Sequence, residues 1–502
     1  MTVSRKFAIS PTRAEDYPQW YQEVIKAADM AENSVIRGCM VIKPWGYAIW
    51  ERIQAALDKD IKATGHQNFY FPMFVPLSFM AKEAEHVEGF AKECAVVTHH
   101  RLEAHPEKGL VPAGPLEEPL VLRPTSEAII GEAYSRWINS YRDLPLKGNQ
   151  WANVFRWEMR PRIFLRTSEF LWQEGHTAHA TDVEAIEESE TMLEVYRKLS
   201  EDFLAMPVIV GKKTAREKFP GADITYCIES MMQDKKALQA GTSHFLGQHF
   251  SKAFNIKYLS KEGVEEFTWT TSWGVSTRLI GGLIMTHSDD DGLVLPPTIA
   301  PIQIVIVPIT NKPEQAAAIN SYCQKLKQSL ETLQFSGEVI RVSVDDSDKR
   351  TGDKLWGWIK KGVPIRLEIG EKELLNEKVF IGRRDNAPSD KVSLGCDEFI
   401  KAAPLMLDAI QQNLWQRACA YRDEHFFTVD NKANFVRYFE DKAVKTGFVM
   451  APWIGDETTE KWLKETYKVT ARCMPLSHQT QTGNCIFTNE PNAPYTIFAR
   501  SY

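Results

Sequence analysis

Residues 154–179 read VFRWEMRPRIFLRTSEFLWQEGHTAH. Arg156 and Glu158 stand two residues apart, and Trp172, Glu174 and His176 repeat that spacing. In an extended strand, residues two apart point to one face. The spacing predicts a hairpin around the loop at residues 159–166, offering an arginine, two glutamates, a tryptophan and a histidine to one side. A solvated face has no need of a tryptophan among its charges. A core face would not hold this much charge unless it were paired. A polar pocket for a charged ligand satisfies both constraints.

The 502-residue chain is too long for one ordinary core, so two or three domains are expected. Its formal net charge of −6 argues against nucleic-acid binding through bulk positive charge and leaves room for local basic patches. No apolar run is long enough to span a bilayer, so no membrane association is expected. The first residues lack the apolar core of a secretory signal. The eight cysteines are scattered without a C-x-x-C pair, which speaks against a disulfide framework. A cytoplasmic protein is the expectation.

Outward from the hairpin, helical patterning covers residues 18–31 and 47–64, with Pro18 in a first turn where its missing N–H costs nothing. Strands are predicted at 68–76 and 265–273, and a helix at 276–285. This alternation implies a mixed or antiparallel sheet flanked by helices. The proline cluster at 295–301 interrupts it. Beyond lie a strand at 302–308, a helix at 314–333, a strand at 338–344, a helix at 352–361 and strands at 365–369 and 378–382. That order is a compact α/β unit. A long helix at 404–426 leads to a small mixed C-terminal unit. The fold class is thus α/β (α+β), with domains at 1–298, 299–405 and 406–502.

Several groups can carry chemistry. Arg156 can bind carboxylate or phosphate in bidentate fashion and stays charged when desolvated; it can equally pair with Glu158 or Glu174. Arg166 and Thr167 add a cation and a hydroxyl at the loop's end. Residues 122–127 (LRPTSE) read as a helix start with Thr125 or Ser126 as N-cap. A second reading sets Thr125 and Glu127 at a ligand's ammonium group. Residues 239–244 (QAGTSH) read as a small-residue turn before a strand, carrying Gln239, Thr242 and His244. In residues 273–278 (WGVSTR) a strand turns into a helix with Ser276 as cap and Arg278 in the first turn. A cation there opposes the helix dipole at a cost of about 0.3–1 kcal/mol, which a bound anion removes. Neither G-x-x-x-x-G-K-[ST] nor a post-strand G-x-G-x-x-G occurs. Any nucleotide must therefore be held by arginines on an antiparallel sheet.

Taken in order and spacing, these pieces resemble the class II aminoacyl-tRNA synthetases, and within them the prolyl-tRNA synthetases of archaeal and eukaryotic type. Residues 37–51 are similar to that family's N-terminal signature. Residues 65–74 resemble motif 1 of the dimer interface, 154–179 motif 2, and 272–297 motif 3. The resemblance implies that Arg156 and Arg278 are catalytic, with Arg156 contacting the ATP α-phosphate and the proline carboxylate. It implies an ATP site of Arg156, Glu158, Arg166, Thr167, Gln239, Thr242, Ser276 and Arg278. It implies a proline pocket of Thr125, Glu127, Arg156, Trp172, Glu174, His176 and His244. Prolyl-adenylate would form with release of pyrophosphate, then pass to tRNA(Pro) with release of AMP, assisted by Mg²⁺ and without a covalent enzyme nucleophile. Residues 302–403 resemble an anticodon-binding domain, with Arg350, Lys354 and Arg366 as candidate contacts. A homodimer is implied.

The chain departs from the family in one place. Ile454, Thr459 and Phe487 stand where three of four zinc-binding cysteines would be, and only Cys485 remains. A structural zinc needs four ligands, so zinc is not expected. Residues 179–272 are too short for a further editing domain. By the same resemblance, the carboxylate of Tyr502 docks near the catalytic unit. Two alternatives stay open: a non-catalytic paralogue, or a synthetase for threonine, histidine or glycine.

Overall fold

The computed structural model describes residues 7–82, 93–310, 313–440 and 447–502. Its organising element is a twelve-stranded sheet. The hairpin strands Leu146–Phe155 and Glu169–His179 pair antiparallel, with Gln150 opposite Glu174 and Gly148 opposite His176. Glu169–His179 pairs on its other side with Trp269–Ser276, then come Ala237–Gly247, Ile224–Met231 and Val208–Lys212, all antiparallel. The sheet does not stop there. Val208–Lys212 pairs with Thr470–Pro475, so the C-terminal strands Ala493–Ala499, Phe448–Pro452 and Phe426–Thr428 extend the same sheet.

Alternation along the strands divides the two faces. Gln173, Gly175 and Trp273 lie under the helix Asp182–Lys198, where Tyr196 Oη donates to Gln173 Oε1 at 2.6 Å. That helix begins at a capping box, with Thr181 accepting from the Glu184 N–H and Glu184 reaching back. Trp172, Glu174 and His176 face the other way, into a cavity. The helices Tyr17–Ala27 and Pro44–Ala63 start at prolines in their first turns and bury Trp20, Val24, Ile49, Ile53 and Leu57 in the main core.

Residues 304–395 form a second, five-stranded sheet, ordered Val342–Val344, Ile304–Pro308, Ile365–Ile369, Lys378–Arg383, Lys391–Gly395. Its first three strands are parallel and the others antiparallel. The strand Lys391–Gly395 was not foreseen.

Four expectations are corrected, the first being the strand at 338–344, which is two strands, Glu338–Val339 and Val342–Val344, in different sheets. The strand expected at 68–76 splits into Gln67–Asn68 and Phe74–Pro76, which join different sheets. Pro72 lies between them, and a residue without an N–H cannot carry the ladder through. The turn expected at 239–244 lies inside the strand Ala237–Gly247. The long helix runs Cys396–Glu424 with Pro404 inside it, because Phe399, Ala403, Leu407, Ile410 and Leu414 make one continuous buried face across the proline.

The close packing of the two faces sets a test. A Cβ on Gly175 would stand 2.1 Å from the Trp273 ring. Gly175→Ala should therefore displace that indole and destabilise the protein by about 1–3 kcal/mol, seen as a lowered thermal midpoint. An unchanged midpoint would show that the ring yields freely.

Candidate active site

The cavity on the open face has a volume of about 300 Å³. One end is acidic. Glu174 Oε1 accepts from Gln150 Nε2 at 2.7 Å and from Ser126 Oγ at 2.5 Å, while its Oε2 meets His176 Nε2 at 3.0 Å. Thr125 Oγ1 donates to Glu127 Oε2. Neither hydroxyl caps the helix Glu127–Trp137. Ser126 thus stands at the N-cap position without bonding the helix, and its hydroxyl and that of Thr125 are turned to carboxylates instead. His244 Nδ1 meets Thr225 Oγ1 at 3.0 Å, and the Phe219 ring lies 4.6 Å from the His244 ring.

The other end is cationic. Arg156 Nε donates to the Pro124 carbonyl at 2.8 Å, and its guanidinium lies over Phe170 and Trp172 at 5.6 and 5.4 Å. Arg278 Nε donates to the Leu165 carbonyl at 3.1 Å. Arg278 is the first residue of its helix, and its own N–H bonds to Ser276 Oγ at 3.2 Å. The cap position belongs to Thr277, with Ser276 ending the strand. Burial pushes the Arg278 pKa down to about 10, and repulsion from Arg166 and Arg156 adds to it. Burial also lowers that of Arg156, against Glu127, Glu93 and Glu174, which support its charge. Two buried guanidiniums that repel one another favour an anion beside them, a phosphate or a carboxylate.

Thr125, Glu127, Arg156, Trp172, Glu174, His176, Gln239, Thr242, His244, Ser276 and Arg278 all line this one cavity. Glu158, Arg166 and Thr167 do not. The hairpin strand ends at Phe155, so the alternation that set Glu158 beside Arg156 does not extend to it. Glu158 instead pairs with Arg166 at 3.2 Å and accepts from the Arg160 N–H, and Thr167 donates to the Glu169 carbonyl. Sequence reasoning missed Phe170, Glu217, Lys218, Phe219 and Pro220 on the wall. Phe170 carried a signal, the same two-residue spacing from Trp172; the other four lie in irregular chain without periodicity.

Of the nominated anticodon contacts, Arg350 is exposed. Lys354 is buried with Nζ on the Asp345 carbonyl at 3.1 Å. Arg366 is 1 % exposed, in a strand covered on both faces. Neither presents a charge to a base. Among the described residues no three His, Cys, Asp or Glu side chains are placed to hold a metal ion. The residues at the zinc-type positions do not suit one: the Phe487 ring packs 5.1 Å from Phe435 and 6.1 Å from Trp462, beside partly buried Ile454.

An antiparallel sheet with arginines at a helix start and on the hairpin defines a class II aminoacyl-tRNA synthetase, and residues 113–287 match the family model of the class II core domain (G, H, P, S and T). Residues 303–403 match an anticodon binding domain and 437–502 a prolyl-tRNA synthetase C-terminal model. The proline–tRNA ligase of Bdellovibrio bacteriovorus is 56% identical over 496 residues, covering 99% of both chains. That of Protochlamydia amoebophila is 56% identical over 503 residues, again covering 99% of both. The solved prolyl-tRNA synthetase from Cryptosporidium parvum, complexed with L-proline and AMP, superposes with a TM-score of 0.87 at 37% identity, over 99% of this chain and 97% of that one. The chain belongs to the prolyl-tRNA synthetases, enzymes that activate proline with ATP and transfer it to tRNA(Pro).

The two histidines of the acidic end titrate in opposite senses. Burial lowers the His244 pKa to about 4, with His176 adding to the fall and Glu127 opposing it. For His176 burial also disfavours the charge, but the bond to Glu174 and the field of Glu127 outweigh it and raise its pKa. Protonated His176 thus contributes stability that is full below about 6.5 and lost as pH rises through its raised value. Neutral His244 contributes stability present above about 6.5 and lost as pH falls toward 4. Glu127→Gln should lower the His176 pKa in an NMR titration of labelled histidines. A His176 pKa that stays put would remove Glu127 from its field.

Proposed function

We propose that the acidic end of the cavity holds the proline ammonium and the cationic end holds ATP. The observation that carries this is one cavity lined by Glu127 and Glu174 and by Arg156 and Arg278, with Arg156 in the field of both carboxylates and Arg278 in the field of Arg156. Proline's secondary ammonium needs carboxylate acceptors, and its apolar ring needs a wall such as Trp172. Thr125, His176 and His244 complete that pocket. Arg156 stands where the two reactants meet. The proline carboxylate attacks the α-phosphorus, the bond to the β-phosphate oxygen breaks, and pyrophosphate leaves with the electron pair. The terminal ribose hydroxyl of tRNA(Pro) then attacks the prolyl carbonyl and AMP leaves. No enzyme nucleophile is required, so catalysis comes from positioning and charge stabilisation by Arg156 and Arg278. Gln239, Thr242 and Ser276 border the nucleotide. Glu158, Arg166 and Thr167 lie on the neighbouring loop, where they would meet ATP only at its outer end. Mg²⁺, held mainly by phosphates and water, would supply further charge neutralisation.

The wider reading covers domains at 1–298, 299–405 and 406–502, a cytoplasmic site of action, and tRNA contact through the anticodon-binding unit, with Arg350 as its exposed cation. The homodimer is supported by the exposed apolar side chains Tyr70 and Phe74 in the stretch resembling motif 1 and Leu77 just beyond it. For the archaeal and eukaryotic type the supporting observation is the likeness to the Cryptosporidium parvum enzyme; the curated relatives named above are bacterial. Residues 179–272 fold into elements of the sheet and its covering helices, which supports the absence of an inserted editing domain. Docking of the chain end is supported by Tyr502, whose Oη donates to Asp234 at 2.7 Å and whose N–H bonds to the Ala237 carbonyl.

Amino-acid-dependent exchange of pyrophosphate into ATP tests the assignment. Proline should support exchange far better than threonine, histidine or glycine. Arg156→Ala should reduce it by about 10²–10³ with thermal stability retained. Exchange at the normal rate in that variant removes Arg156 from the reaction.

A further inference from the structure

The wall that periodicity did not reveal, residues 213–223, is gripped from outside the catalytic unit. It leaves the strand Val208–Lys212 and re-enters the sheet at Ile224–Met231, with neither helix nor strand between. Backbone bonds tie its ends to the sheet, from the Lys213 N–H to the Thr225 carbonyl at 2.8 Å and from the Asp223 N–H to the Phe245 carbonyl at 2.9 Å, so its middle depends on side-chain contacts for its position. On the inside, Phe219 lies against His244, and its N–H bonds to Thr225 Oγ1 at 2.9 Å. On the outside, the C-terminal unit meets the wall directly at one shoulder and through the shared carboxylate of Glu229 at the other. At the first shoulder Lys213 Nζ lies 2.7 Å from Glu229 Oε1. Arg472 of the strand Thr470–Pro475 holds the same carboxylate through Nη2 at 3.0 and 3.1 Å and Nε at 3.2 Å. These three side chains are buried, at 2, 0 and 9 % exposure. At the second shoulder Arg216 pairs with Glu457 at 2.6 Å and lies 3.7 Å from Glu460, both on the helix Glu457–Tyr467.

We infer that the C-terminal unit is a positioning element for amino-acid selection: Glu457 and Glu460 directly, and Arg472 through the Glu229 carboxylate it shares with Lys213, clamp the 213–223 wall and so fix Phe219 over the pocket. The inference rests on the acidic end of the cavity being the proline pocket. Phe219 and Trp172 both border the cavity. A small apolar ring is distinguished from alanine by how closely such walls enclose it, so slack in Phe219 weakens proline more than alanine. The fields agree with this arrangement. Glu217, which lines the cavity, raises the pKa of both Arg472 and Glu460, so the wall and the C-terminal unit share one electrostatic neighbourhood.

The two shoulders differ as test sites. Glu229 is the cross-strand partner of Gln239 and lies in the field of Arg278. Changing the buried triad would therefore disturb the ATP end as well. Arg216 is exposed and touches neither end, so it isolates the clamp. In the full-length protein, Arg216→Glu should raise KM for proline about two- to fivefold in pyrophosphate exchange, the factor an exposed ion pair carries. KM for ATP should stay fixed, and selectivity for proline over alanine should fall. Adding Glu457→Arg to Arg216→Glu should restore KM for proline, which general loosening of the fold would not do. An unmoved KM for proline, a parallel rise in both KM values, or failure of the charge swap to rescue overturns the clamp. Glu127→Gln is measured alongside. If it raises KM for proline while Arg216→Glu does not, the clamp alone is wrong. If it leaves KM for proline unmoved, the pocket assignment fails and the clamp with it.

Discussion

The site depends on the burial of one carboxylate. Glu174 is 2 % exposed, and an ionised carboxylate removed from water must find donors. It finds three, each from a different element: Gln150 on the partner strand, Ser126 at a helix start, and His176 two residues on along its own strand. Satisfying Glu174 therefore fixes the hairpin register, the approach of the helix Glu127–Trp137, and the protonation preference of His176. Glu127 arrives with that helix, and the acidic end of the cavity is complete before any ligand enters.

The opposite end is left in electrostatic debt. Arg278 feels Arg156 and Arg166, and Glu229, the carboxylate that opposes them, is already shared between Lys213 and Arg472. In the proposed reading a polyphosphate would relieve this repulsion and draw part of its binding strength from that relief. Preorganised positive charge of this kind needs no rearrangement when charge develops on the α-phosphate and its leaving group. In the same reading the carboxylate of a bound proline would be directed toward these arginines while its ammonium is drawn to Glu127 and Glu174.

How much of this was legible in the sequence follows from where regular geometry ends. The two-residue spacing of Trp172, Glu174 and His176 lies within the strand Glu169–His179, and all three face the cavity. The same spacing from Arg156 to Glu158 lies past Phe155, where the chain is no longer a strand, and it misleads. Arg366 shows the converse: charge suggested a surface, but both faces of its strand are covered, which only the tertiary structure decides. Residues 239–244 looked like a turn because glycine and small polar residues favour turns locally. Gly241 is instead needed in a strand, where a Cβ would stand 2.9 Å from Val275. The wall at 213–223 has no period to read, and Arg216 reaches 241 and 244 positions along the chain to Glu457 and Glu460.

The continuity of the sheet explains what the C-terminal unit must be. Because Thr470–Pro475 pairs with Val208–Lys212, any looseness in that unit is transmitted to the edge of the catalytic sheet. Gly211 marks the joint: a Cβ there would stand 2.7 Å from the Cys473 side chain, so the two strands meet with no space between them. Such a joint needs a rigid core behind it. Phe435, Phe439, Phe498, Trp453 and Leu463 provide one, and Phe487 enters it at a position where the family resemblance places a zinc ligand. Aromatic rings locked edge to face restrict the fold non-covalently, as a metal would through its ligands. The requirement is the stiffness of the unit that carries Arg472, and a packed aromatic core meets it.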